Sequence, residues 1–104
     1  MRFDIFNFNF YYYRDLNSVT LIVEEFFFEP LSKWPEYVQI LRTFLKEKKL
    51  HLNYAKLKNN TYNNELNIEI LIRDKKNDKH YKINILKSPS LYSNFKIKWD
   101  LYVL

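Results

Sequence analysis

The sequence predicts an α+β domain, a mostly antiparallel sheet in the order β-β-α-β-β-β-β with one helix packed on one face. Three observations predict it. Apolar and polar residues alternate with period two in several stretches, as half-buried strands do. One stretch alone joins an initial Pro to an apolar stripe at 3,4 spacing, as an amphipathic helix does. Clusters of Asn, Asp, Ser and Pro separate these stretches and supply turns. The 104 residues suit one domain spanning 1–104.

Residues 3–13 are predicted as a strand, with Phe6, Phe8, Phe10 and Tyr12 on one face and Asn7, Asn9, Tyr11 and Tyr13 on the other. A turn at 14–17 leads to a second strand at 18–28, with Val19, Leu21, Val23 and Phe27 opposite Thr20, Ile22, Phe26 and Phe28. The short connection makes the two an antiparallel hairpin. Both strands carry apolar groups on both faces, so one face must meet something besides the main core.

The helix is predicted over residues 35–49, about 22 Å long. Pro35 fits its first position, where the missing N–H is an orphan anyway. Glu36 in the first turn and Lys46, Lys48 and Lys49 in the last complement the macrodipole. Tyr37, Val38, Leu41, Phe44 and Leu45 form the buried stripe, with Ile40 on its margin.

Strands follow at 50–57, 65–73, 80–87 and 91–103. In the second, Leu66, Ile68, Ile70 and Ile72 alternate with Asn67, Glu69 and Arg73; in the third, Tyr81, Ile83 and Ile85 alternate with Lys82 and Asn84. Residues 74–79 and Ser88-Pro89-Ser90 are turns. The last strand alternates best. Leu91, Ser93, Phe95, Ile97, Trp99, Leu101 and Val103 share one face, and Tyr92, Asn94, Lys96, Lys98, Asp100 and Tyr102 the other.

Aromatic residues make up 19% of the chain, enough to build a small core or a binding surface. There is no Gly, so turns needing positive φ must use Asn or Asp, as at 59–60, 63–64 and Asn77-Asp78. Abundant Asn, Lys, Tyr, Phe and Ile match AT-rich codons and point to a virus, a phage or a low-GC bacterium. With no Cys, disulfides, thiol catalysis and cysteine zinc sites are excluded. The amino-terminal residues alternate and include Asp4, unlike a secretory h-region, and no apolar run approaches 18 residues. A cytoplasmic protein without membrane contact is expected, in a host cell if the source is viral.

The net charge of +5 is uneven. Residues 1–45 hold four Lys/Arg against six Asp/Glu, a net of −2, and residues 46–104 hold thirteen against six, a net of +7. A basic half fits either an anionic partner or a solvated Lys-rich surface.

Chemical motifs are sparse. His51 and His80 share no local spacing with other ligands, so no metal site is expected. Ser18, Ser32, Ser88, Ser90 and Ser93 lack a glycine-flanked elbow, and phosphate-cradling or dinucleotide loops need glycine too. No cofactor and no catalytic residue is expected. A metal-dependent nuclease would have only Glu65, Glu69, Asp74 and the adjoining lysines to work with.

Two binding readings remain. A non-enzymatic protein would occupy a protein or nucleoprotein partner through Tyr11, Tyr13, Phe26, Phe27 and Phe28, as an inhibitor of host defence would, or would use the same rings to form a homodimer. Alternatively, Tyr92, Lys96, Lys98, Tyr102 and Lys82 on one sheet face would bind nucleic acid, rings stacking on bases and ammonium groups meeting phosphates.

Overall fold

The computed structural model describes residues 2–4, 10–89 and 96–104. Strand β1 (Arg2–Asp4) precedes helix α1 (Phe10–Phe26), a 3-10 turn (Leu31–Lys33) and helix α2 (Trp34–Glu47). Strands β2 (His51–Asn60), β3 (Glu65–Asp74), β4 (Lys79–Ser88) and β5 (Lys96–Val103) follow. All pair antiparallel in the order β1-β5-β4-β3-β2. The α+β class and the antiparallel sheet are those the sequence predicts.

The amino-terminal hairpin is not. Residues 10–26 are helical, so the element order contains two helices where β-β-α was expected. The buried positions explain the difference: Leu16, Val19, Thr20, Val23, Phe26 and Phe27 recur at helical spacing. Of the set expected on one strand face, Val19 and Val23 are buried but Leu21 is 56% exposed. The buried Thr20 is satisfied locally, its hydroxyl donating to the Asn17 carbonyl at 2.6 Å. β-Branched residues favour strands over a range of only about 1 kcal/mol. Burying one such side chain contributes about 1.5–3 kcal/mol, so packing decides. Of the predicted strand at 3–13, positions 3 and 4 lie in β1, positions 10–13 open α1, and the rest lie outside the described residues.

Helix α1 closes where the Glu29 N–H donates to the Phe26 carbonyl at 2.8 Å, just before Pro30. Lys87 of β4 reaches this end, its Nζ donating to the Phe27 carbonyl at 3.0 Å and lying 5.2 Å from the Phe27 ring centroid. A cation on the last carbonyls of a helix is favoured by the macrodipole.

Helix α2 starts one residue before the predicted position, at a helical Trp34, and keeps the stripe: Trp34, Tyr37, Leu41 and Leu45 are buried, with Val38 and Phe44 half-buried. It ends at Glu47, two residues short of the predicted end, and Lys49 just beyond adopts φ 62° while the Leu50 N–H returns to the Leu45 carbonyl at 2.8 Å. That left-handed position usually holds Gly.

The sheet buries one face. Leu57, Ile68 and Ile85 align across β2, β3 and β4, as do Ala55, Ile70 and Ile83, with Leu101 of β5 beside Ile83. A bulge at Asn53 shifts the register between Leu52 and Tyr54, letting both Leu52 and Ala55 face the core. These residues join Leu16, Val19, Val23 and Phe26 of α1 and the α2 stripe in one cluster. Phe26 is its hub, 5.0 Å from Trp34 and 5.3 Å from Tyr37 between ring centroids. No helix among the described residues is long and apolar enough to cross a membrane.

Candidate nucleic-acid interface

Antiparallel pairing brings two distant basic segments to one end of the sheet. The carboxyl end of α2 supplies Lys46, Lys48 and Lys49, and Leu50 alone separates them from His51, the first residue of β2. His51 pairs with Arg73 at the end of β3, and Arg73 pairs with His80 at the start of β4. The β3–β4 turn adds Lys75 and Lys76, and β4 opens with Lys79. Segments 46–51 and 73–80 thus hold seven Lys/Arg against three Asp/Glu, a local net of +4. All seven cations are exposed. Lys46, Lys49, Arg73, Lys75, Lys76 and Lys79 make no ion pair with a described residue.

The turn that carries the lysines is held by its own acid. Asp74 is buried, and its carboxylate accepts from the Asn77 N–H at 3.3 Å and from Asn77 Nδ2 at 2.8 Å. Asp78 takes the left-handed conformation at φ 52°, closing the turn without glycine. Asp74 is therefore occupied by the turn while the neighbouring ammonium groups point to water. From β2 to β4 is two strand spacings, about 10 Å. That width is comparable to a nucleic-acid groove of about 6–12 Å. Tyr81, which follows His80, is buried, so this end offers chiefly cations.

The sheet face turned away from the core adjoins this end. One row across it runs Tyr54, Leu71, Lys82 and Tyr102. Tyr54 and Tyr102 are three strand spacings apart, about 14 Å. Between them Lys82 Nζ pairs with Glu69 Oε1 at 2.8 Å, and the Tyr54 hydroxyl donates to the same carboxylate. Lys56 Nζ sits 4.5 Å from the Tyr54 ring centroid. The hydrogen bond from Lys82 holds the Glu69 carboxyl below its ordinary value, and the same bond raises Lys82. Burial pushes the Tyr54 phenol up, and its bond to Glu69 adds to that.

The sequence-predicted residues divide. Lys82 and Tyr102 are cross-strand partners, as one face requires. Lys82, however, already has Glu69 as counter-ion. Lys96 and Lys98 pair through the backbone with Ser88 and Leu86, while Tyr92 lies outside the described residues. The aromatic hairpin surface does not form. Phe26 is fully buried and Phe27 is 6% exposed, both in the core, because helical spacing turns them inward. Phe28 alone of that triplet is exposed, at 77%. Tyr11 and Tyr13 belong to the first turns of α1.

The acids considered for a nuclease do not converge. Glu69 and Asp74 are five residues apart on β3, hence on opposite faces of the sheet, and Glu65 starts the far end of the strand. Among the described residues no group of three His, Asp or Glu side chains could hold a metal ion.

No family model, no curated protein and no solved structure matches this chain.

Proposed function

We propose that this protein is a non-enzymatic module that binds nucleic acid through its phosphates, with the basic end of the sheet as the contact surface. The convergence of Lys46, Lys48 and Lys49 with Arg73, Lys75, Lys76 and Lys79 carries this reading. Bringing these exposed cations together leaves a local net charge of +4, whose repulsion phosphates would offset. Such contacts are independent of sequence and release counterions, so affinity falls steeply with salt. The open face next to this end, with Tyr54, Lys56, Lys58, Lys82 and Tyr102, gives a strand that leaves the basic end a continuous path. The AT-favoured composition agrees with a viral or phage accessory factor acting on a nucleoprotein complex inside a host cell.

The test is the anisotropy of labelled 20-mers, single- and double-stranded, titrated with protein across a salt series. With four or five phosphate contacts the slope of log K against log salt is about −4 on duplex DNA. The double variant Lys75→Glu/Lys76→Glu reduces that slope by about 2 and weakens binding at least tenfold. A wild-type protein that binds none of the oligonucleotides at low salt would remove this reading.

A further inference from the structure

The charge of the molecule is uneven, and α2 carries an apolar groove among glutamates. A hollow of about 440 Å³ runs along α2, lined by Glu36, Gln39, Ile40, Thr43, Phe44 and Glu47. Ile40, 44% exposed, is part of its lining. A second hollow of about 210 Å³ adjoins it through Glu36 and Ile40 and adds Glu29, Lys33 and Tyr37. The carboxylates of Glu25, Glu29 and Glu36 are close enough to Tyr37 to raise its phenol further, after burial has done so. Three carboxylates, Glu29, Glu36 and Glu47, thus line the groove, and Glu25 lies near its Tyr37 wall. Against them stand Lys33, paired with Glu36 at 3.4 Å, and Lys48, 5.9 Å from the Phe44 ring centroid. In a chain of net charge +5, the residues lining the two hollows hold three Glu against one Lys.

We propose that this groove docks a basic amphipathic helix of a partner protein. An apolar ridge at i, i+4 spacing would fill the space over Ile40 and Phe44, and Lys or Arg flanking it would meet Glu29, Glu36 and Glu47. A second copy of the same groove fits badly, because two antiparallel α2 helices would set Glu36 against Glu47 and leave like charges desolvated. The chain's own basic turn fits badly too, since residues 74–79 contain no apolar side chain to enter the groove. The surface adjoins the basic end at the carboxyl end of α2, where Glu47 lies between Lys46 and Lys48, but its apolar lining does not depend on nucleic-acid binding.

The experiment uses the whole chain and a fluorescein-labelled 18-residue peptide with Leu at helical spacing and Lys on its polar face. A control peptide keeps the Leu face and replaces Lys with Glu. The wild-type protein binds the basic peptide with micromolar affinity and the acidic one at least tenfold more weakly. Ile40→Ser lowers affinity for the basic peptide tenfold or more. Glu36→Gln/Glu47→Gln lowers it three- to tenfold and flattens its salt dependence. Circular dichroism checks that each variant stays folded, which the exposure of these positions favours. Equal binding of the two peptides, binding indifferent to Ile40→Ser, or no binding at all would overturn the proposal. So would sedimentation showing a dimer that Ile40→Ser dissociates, since the occupant would then be a second copy.

Discussion

Among the described residues three take positive φ, and all three stand where a glycine-containing protein would use glycine: Lys49 at 62°, Asn64 at 57° and Asp78 at 52°. Asn and Asp tolerate this region best after glycine, and the sequence places them at the β2–β3 and β3–β4 turns as expected. Lys49 was not legible in that way, because nothing local distinguishes it from the lysines beside it. A non-Gly residue there costs about 1 kcal/mol. Lys49→Gly should therefore raise stability by about 0.5–1 kcal/mol, read as a higher denaturant midpoint at unchanged m-value. The same substitution removes one cation from the basic end, so it should also weaken oligonucleotide binding severalfold. Glu69 gives a pH signature. Its carboxyl is held below the ordinary value of 4.5 by Lys82, so its stabilising contribution is complete above that value and is lost as the pH falls below it. Glu69→Gln should flatten that acid limb, measured as Tm against pH from 6 down to 3.

Among the elements, β3, β4, β5 and α2 are legible because a single pattern explains each: Ile68, Ile70 and Ile72 alternate cleanly, and Pro35 opens a stripe that only a helix satisfies. Helix α1 is not legible in the same sense. Val19 and Val23 fit both a period of two and a period of 3.6, and Ile22, Thr20 and the phenylalanines lend strand propensity to the wrong answer. Apolar residues on both faces of the expected hairpin were the warning, since one helix buries the same set without leaving a second face bare. Paired substitutions separate the two readings. Leu21 and Val23 would share a strand face, whereas in α1 Leu21 is 56% exposed and Val23 is 1% exposed. Leu21→Asp should cost less than about 1 kcal/mol, while Val23→Asp should cost several by leaving a charge in the core. Comparable losses for both in urea unfolding would contradict the helix. The tie between α1 and β4 has its own test: Lys87→Met removes a charged hydrogen bond to the Phe27 carbonyl and should cost about 1.5–3 kcal/mol.

At the scale of the whole molecule, function rests on what the topology brings together. The lysines at 46–49 and those at 75–79 are visible in the sequence, the first as complements to a helix dipole and the second as a charged turn. Neither reading hints that they meet, because about twenty-five residues separate them and only the register His51 to Arg73 to His80 joins them. The converse holds for the aromatic triplet at 26–28, whose promise as a surface disappears once α1 directs Phe26 and Phe27 inward. The result is a molecule with a basic sheet end and, along α2, a hollow where Ile40 and Phe44 lie among glutamates. The central claim is that the basic end is where nucleic acid binds. Amide chemical-shift mapping of the labelled protein, titrated with a 12-base-pair duplex at low salt, tests it most directly. The account predicts the largest shifts at residues 46–51 and 73–80, fading with added salt. Shifts centred on residues 21–44, or none at saturating duplex, would contradict it.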